Sequence, residues 1–256
     1  MKRNIVRKPI RVAGFGLITA TYLPLYVARD TMLGVGVGRS ARTELRDRWT
    51  GRWARALLRL FSVHPNIVGD IPSRTDKRGF LVVANHRSTI DIALMLSTFG
   101  GCVVSRADLS RWPIIGTAAR KVGTLFVERT SKQSGARVIR AMAARLGEGD
   151  VVSVFPEGTT FPGDEVRPFL RGGFVAAIRA GVPVLPVGIA YELGSEAAFV
   201  DESFRDHLAR MSEAPPTRVT VCIGKPLPTD DGAGATVAAR AHEAVSDLVK
   251  KARALV

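Results

Sequence analysis

The stretch Asn85-His86-Arg87-Ser88-Thr89-Ile90-Asp91 sets a histidine and an aspartate five positions apart, between the apolar runs Phe80–Ala84 and Ile92–Leu96. An imidazole whose Nδ1–H is held by a carboxylate keeps Nε2 bare and can take a proton from a hydroxyl. Five residues turn a regular helix through about 500°, which leaves the two side chains about 140° apart. They meet only if His86 lies in the loop before a helix and Asp91 in its first turn. The aspartate is equally a candidate cap. Ser88 stands at an N-cap position with Asp91 three residues on, as in a capping box. Pair and cap both stay open.

Other polar clusters end other apolar runs. Gly123-Thr-Leu-Phe-Val-Glu-Arg129 finishes on an arginine, and Phe155-Pro-Glu157-Gly158-Thr159 on a carboxylate and a glycine. Val182-Pro-Val-Leu-Pro-Val187 carries two prolines, which suit the ends of a strand or an edge better than a central place. Rival chemistries find little here. There is no Gly-x-Ser-x-Gly for a serine hydrolase. Cys102 and Cys222 lie in strand-like runs and read as buried thiols of a reducing compartment. His64, His86, His207 and His242 are scattered without ligand spacing, so no metal is expected. Gly34-Val-Gly-Val-Gly38 follows an apolar segment and not a strand, so it is no dinucleotide loop.

The elements that must position these clusters alternate. Strands are expected at 67–69, 80–84, 102–105, 124–127, 151–155, 183–189 and 218–223. Helices are expected at 88–98, 112–121, 132–147, 172–180, 197–212 and 235–254. That alternation predicts an α/β fold, a largely parallel central sheet covered by helices on both faces. Open sheets of this kind bind ligands outside the carboxyl ends of their strands, and the polar clusters all follow such ends.

The N-terminus differs. A basic start, MKRNIVRKPIR, precedes the apolar stretch Val12–Ala28, whose 17 residues reach about 25 Å as a helix, short of a bilayer core. Pro24 should kink it. A segment dipping into one leaflet is the favoured reading; a full span and a cleaved signal are the others. From Glu44 to Phe61, Leu45, Trp49, Trp53, Ala56, Leu57 and Leu60 share one helical face. Arg48, Arg52, Arg55 and Arg59 form a separate stripe. Two tryptophans beside an arginine row suit an interfacial helix; a helix packed on the core with a solvated arginine face is the alternative. The division expected is an N-terminal membrane-associated helical segment over 1–62 and a catalytic domain over 63–256. Lys and Arg outnumber Asp and Glu by 37 to 23, formal +14, which points to an anionic membrane surface, nucleic acid or an acidic carrier protein. Nucleic acid is disfavoured, since only 7% of residues are aromatic and no recognition motif occurs.

Over about residues 65–225 the chain resembles the glycerolipid acyltransferases of the lysophosphatidic acid acyltransferase type. NHRSTID, GTLFVER, FPEGT and VPVLPV match that family's four blocks in order. The resemblance implies transfer of a fatty acyl group from acyl-CoA or acyl-ACP to a lyso-lipid hydroxyl, most simply 1-acyl-glycerol-3-phosphate. It implies no cofactor, and work at the cytoplasmic membrane face by a peripheral or monotopic protein. It makes His86 the general base and Asp91 its orienting partner. It makes Arg129 the acceptor-phosphate ligand, for which an ion pair with Glu128 or Glu165 is the alternative, and Glu157 the holder of a glycerol hydroxyl. Backbone N–H groups around Gly158 or Val187 are candidate oxyanion donors, and Thr159, Arg106 and Arg171 complete the expected binding residues. Some positions depart. Where the family often has Phe-Pro-Glu-Gly-Thr-Arg-Ser, Thr160 and Phe161 replace the arginine and serine. Lys-x-Glu-Leu reads Arg106-Ala-Asp108-Leu109, and Phe-Lys-x-Gly reads Phe169-Leu-Arg171-Gly172. A threonine hydroxyl does not replace an arginine on phosphate, so a lyso-lipid with another headgroup, such as lyso-ornithine lipid, is the alternative acceptor. A basic membrane-surface or nucleic-acid-binding protein without catalysis is the alternative from another class.

Overall fold

The protein is described from a computed structural model over residues 7–33, 37–72, 79–112, 115–128, 130–199, 201–230 and 233–256. Helices α1 (Arg7–Met32) and α2 (Arg39–Leu60) come first, followed by strands β1 (Val63–Val68) and β2 (Phe80–Ala84). Then come α3 (Ile90–Phe99), β3 (Cys102–Arg106), a 3-10 turn at Ala107–Arg111, α4 (Ile115–Lys121), β4 (Leu125–Val127) and α5 (Lys132–Gly147). The chain ends with β5 (Val151–Val154), α6 (Gly172–Ala180), β6 (Val184–Tyr191), α7 (Phe204–Glu213), β7 (Thr217–Ile223) and α8 (Gly234–Ala254).

These strands form one seven-stranded sheet in the order β1-β7-β6-β2-β5-β3-β4. Every neighbouring pair is parallel except β6 and β7. Continuous apolar runs suit strands covered on both sides. In β2, Val82 and Ala84 face a core shared with α3 and α7, while Leu81 and Val83 face one shared with α5, α6 and α8. Against β6 the covering helix lies on the backbone itself. A Cβ at Gly188 would stand 2.3 Å from the Leu248 carbonyl carbon of α8. β5 is inserted between β2 and β3, so the loops after β2 and β5 leave the same rim side by side.

Two strands differ from expectation, each through a proline. β1 begins four residues early and runs through Pro65, which an edge strand tolerates because one side of it has no ladder to supply. β6 is central and buried at every position despite Pro186. Pro186 accepts from Gly224 N–H at 2.9 Å just past the end of β7, so its missing N–H affects only the last pair of that ladder. The expected helix at 197–212 starts only at Phe204, where the Ser203 hydroxyl accepts from Asp206 N–H at 3.2 Å.

The N-terminal helices need the largest correction. α1 has 26 residues, not 17, and continues through Pro24. Among the described residues it is the one helix long and apolar enough to cross a membrane. On α2 the arginine stripe is exposed as expected, but the tryptophans turn inward. Trp49 meets Tyr22 of α1 edge-on at 5.9 Å, and Trp53 Nε1 donates to Thr19 Oγ1 at 3.2 Å. The inward face of an amphipathic helix and a lipid-facing one share the same period, and here the partner is α1. Arg46 of α2 is buried against Asp150, the residue before β5, in a bidentate pair of 2.9 and 2.6 Å. Arg11 of α1 donates to the carbonyls of Leu60 at 3.1 Å and Ala214 at 2.6 Å, at the negative ends of α2 and α7. The expected division at 62/63 is therefore not a packing boundary. Leu58 and Phe61 share one core with β1, β2 and β6.

Candidate active site

The loop after β2 is held by its own first residue. Asn85 donates from Nδ2 to the Ile189 carbonyl at 2.9 Å and accepts from Ile189 N–H at 2.8 Å. Its amide thus copies a strand pairing one step beyond the end of β2. His86 follows, outside the helix, and its ring folds back. Nδ1 lies 2.8 Å from Asp91 Oδ2, while the ring stacks on Phe155 at 4.0 Å between centroids. Nε2 makes no hydrogen bond among the described residues.

Asp91 is fully buried and acts both as partner and as cap. Its Oδ2 also accepts from the backbone N–H groups of Arg87 at 2.7 Å and Ser88 at 2.8 Å. Its Oδ1 accepts from Tyr191 Oη at 2.6 Å. The helix therefore starts later than expected, at Ile90, with the carboxylate of the first turn reaching back over the loop. Burial, then the charge of Asp91, pushes the Tyr191 phenol well above its ordinary range, so it remains a donor.

The loop after β5 packs beside this one. Gly158 has φ +81° and closes a turn with its N–H on the Phe155 carbonyl at 3.1 Å. That bond removes Gly158 N–H as an oxyanion donor, and Val187 lies inside the β2–β6 ladder, so it does not serve either. Thr159 and Thr160 are placed differently: both line the cavity described below, and neither backbone N–H has an acceptor among the described residues. The expected role of Glu157 also changes. Its side chain is fully buried and tied off, with Oε2 on His86 N–H and Oε1 on Arg167 N–H at 2.9 Å. Arg87, itself buried, stands 3.6 Å from the same carboxylate. Glu157 thus joins the two loops and has no face left for a glycerol hydroxyl. Burial raises its carboxyl above the ordinary range, against the pull of the Arg167 and His86 N–H groups and of Arg87.

His86 opens on an apolar cavity of about 540 Å³ between the N-terminal helices and the sheet. Its wall draws on α1, α2, α3, β3, α4, β4 and α7, with Tyr22, Trp53, Leu96, Phe126, Phe204 and Met211 among the residues. Sequence periodicity gives no sign of such a space, because its lining residues look like ordinary core. Asn85, Tyr191 and Phe155 are the site residues that sequence reasoning missed. Asn85 opens the first block and was open to notice; Tyr191 reaches Asp91 across 100 residues and was not.

The remaining expected residues scatter. Arg106 lines the cavity at the end of β3, but its guanidinium holds Asp108 at 3.1 and 3.0 Å and is exposed. Arg171 is exposed at the start of α6, on the opposite face of the sheet, and does not line the cavity. Arg129 lies outside the described residues. Thr160, in the place of the family's arginine, donates to the Phe199 carbonyl.

A model of the family described as Acyltransferase matches residues 65–190. A lyso-ornithine lipid O-acyltransferase of Pseudomonas aeruginosa is 33% identical over 240 residues, 91% of this chain and 88% of that protein. A 1-acyl-sn-glycerol-3-phosphate acyltransferase of Neisseria gonorrhoeae is 34% identical over 129 residues, 50% of this chain and 51% of that one. Among solved structures, the 1-acyl-sn-glycerophosphate acyltransferase PlsC of Thermotoga maritima superimposes with a TM-score of 0.74, over 98% of this chain and 97% of that one. At 21% identity that likeness speaks for the fold.

Proposed function

The chain belongs to the acyltransferase family, and on that premise we propose that it transfers a fatty acyl group from a thioester donor, acyl-CoA or acyl-ACP, to the free hydroxyl of a lyso-lipid. The observation that carries the reading is the His86–Asp91 pair, whose histidine lines an apolar cavity of about 540 Å³. His86 Nε2 takes the proton of the acceptor hydroxyl as its oxygen attacks the thioester carbonyl carbon. Asp91 holds the ring in one tautomer and stabilises the imidazolium. The tetrahedral intermediate collapses, the C–S bond breaks, and the imidazolium returns the proton to the departing thiolate. Thr159 and Thr160 N–H groups are the oxyanion donors this reading prefers. The cavity takes an acyl chain, whose burial contributes about 0.8 kcal/mol per methylene.

The acceptor's headgroup has two readings among the relatives: 1-acyl-glycerol-3-phosphate and lyso-ornithine lipid. Thr160 favours the second, because its hydroxyl is spent on Phe199 and offers no cation for a phosphomonoester. Access to lipid from a membrane surface is supported by α1, where Ile10, Leu17, Leu25 and Met32 are more than half exposed, and by the exposed arginines of α2. The deciding experiment offers purified protein a labelled acyl-CoA or acyl-ACP and a panel of lyso-lipids with and without phosphate, in anionic vesicles. Transfer to at least one lyso-lipid, strongly reduced in His86→Ala, is the expected result; no transfer to any of them overturns the reading.

A further inference from the structure

A second histidine–carboxylate pair lies on the wall of the same cavity, beyond the stretch that the family match covers. Glu202 and His207 both line it. His207 Nδ1 lies 2.9 Å from Glu202 Oε1. Arg210 clamps that carboxylate through Nη2 and through Nε at 3.3 Å, and Nη1 and Nη2 also donate to the carbonyls of Glu196 and Ala198. Nη2 lies 3.0 Å from His207 Nδ1 as well, but its two hydrogens are taken by Glu202 and Ala198, so it does not donate to the ring. A carboxylate so held is an acceptor only. Burial works against its charge, but the bonds from Arg210 and His207 outweigh that and hold Glu202 below the ordinary carboxyl range. The hydrogen shared with His207 therefore sits on Nδ1, and Nε2 is left as a bare lone pair. His207 is 1% exposed, and Nε2 has no partner among the described residues.

An orphaned acceptor in a buried place is uncommon and points to a missing partner. Its surroundings point to the reaction. The His207 ring meets Phe199 edge-on at 4.8 Å. Phe199 donates its N–H to the Arg87 carbonyl at 2.8 Å and accepts from the Thr160 hydroxyl, so this wall is bolted to both loops of the candidate site. Burial holds the imidazole below its ordinary range and thus neutral, and Asp91 is near enough for its charge to act on the ring.

We propose that His207 is a specificity-determining residue for the acyl acceptor: its Nε2 accepts a hydrogen bond from an N–H group beside the reacting hydroxyl. An amide-linked hydroxyacyl amino-acid lipid presents such a donor; an ester-linked 1-acyl-glycerol-3-phosphate does not. A site built around an unpaired acceptor discriminates strongly against the substrate that lacks the donor. This rests on the acyltransferase reading given above.

The test compares kcat/KM for an amide-linked hydroxyacyl amino-acid acceptor with that for its isostere, in which an ester oxygen replaces the amide N–H. Wild-type full-length protein is expected to prefer the amide by tenfold or more. In His207→Phe the preference should collapse toward unity, and His207→Gln, which restores an acceptor at that reach, should recover part of it. A merely structural histidine lowers both substrates together and leaves the ratio alone. If His207→Phe does not fold, the wild-type ratio still decides. Equal rates on amide and ester by wild type, or an unaltered ratio in a folded His207→Phe, overturns this assignment alone. No transfer to any lyso-lipid overturns the acyltransferase reading and this assignment with it.

Discussion

Tyr191 Oη lies 2.6 Å from Asp91 Oδ1, the carboxylate oxygen that His86 does not use. The last residue of β6 thereby anchors the residue that orients the histidine. Tyr191→Phe removes one hydrogen bond to a buried charge and keeps the ring. We expect a loss of about 1.5–3 kcal/mol in unfolding free energy, read by urea titration, with slower turnover at similar acceptor KM. A variant as stable and as fast as wild type would show that the contact is idle.

His86→Ala should stay folded and lose about 10²–10⁴-fold in acyl transfer, the usual contribution of a general base. Asp91→Ala should cost more than activity. It removes an acceptor from the N–H groups of Arg87 and Ser88 as well as from the ring, so its melting temperature should fall while that of His86→Ala holds. Equal thermal stability of the two variants would remove the capping role.

Glu157→Gln tests the change from substrate ligand to loop tie. Burial raises the carboxyl in the fold, so the neutral form is favoured on folding. The resulting stabilisation is complete below the ordinary carboxyl pKa and disappears as pH rises through the raised value. Glutamine does not titrate. Wild-type stability minus that of Glu157→Gln should therefore fall as pH rises through and above the ordinary carboxyl range. A difference that rises with pH contradicts the inward-facing carboxylate.

Asp150→Ala leaves the buried Arg46 guanidinium without its bidentate partner. Breaking a buried pair outright costs about 3–5 kcal/mol; Asp47, which Arg46 also holds at 3.0 and 2.8 Å, keeps part of that charge compensated, so the loss should fall below that range. Chemical denaturation should detect this, and limited proteolysis should open the joint between α2 and the sheet.

Cys102 and Cys222 are both buried. Burial, aided by the charge of Asp150, pushes the Cys102 thiol up to about 12. Neither should react with iodoacetamide in the native protein near pH 8, and both should react in denaturant. Rapid native labelling would place a thiol at the surface.

Much of the sheet was legible because its strands are short apolar runs closed by polar loops. Phe80–Ala84 matches its expected bounds for that reason. Pro65 and Pro186 misled, because the cost of a proline depends on which neighbour a strand has at that residue, and sequence does not give neighbours. Trp49 and Trp53 misled in another way: period alone assigns a face to a helix, not the identity of what covers it. The His86–Asp91 pairing was readable as a possibility of spacing. Tyr191, Asn85's strand mimicry and the turned-in Glu157 were not, since each rests on one contact between distant parts of the chain.

Asp91 holds the loop together as well as the imidazole, so chemistry and foldability share one side chain. A descendant that gave up catalysis would have little reason to keep His86 and strong reason to keep Asp91. Inert members of such a lineage should betray themselves by a vanished imidazole beside a surviving aspartate, rather than the reverse.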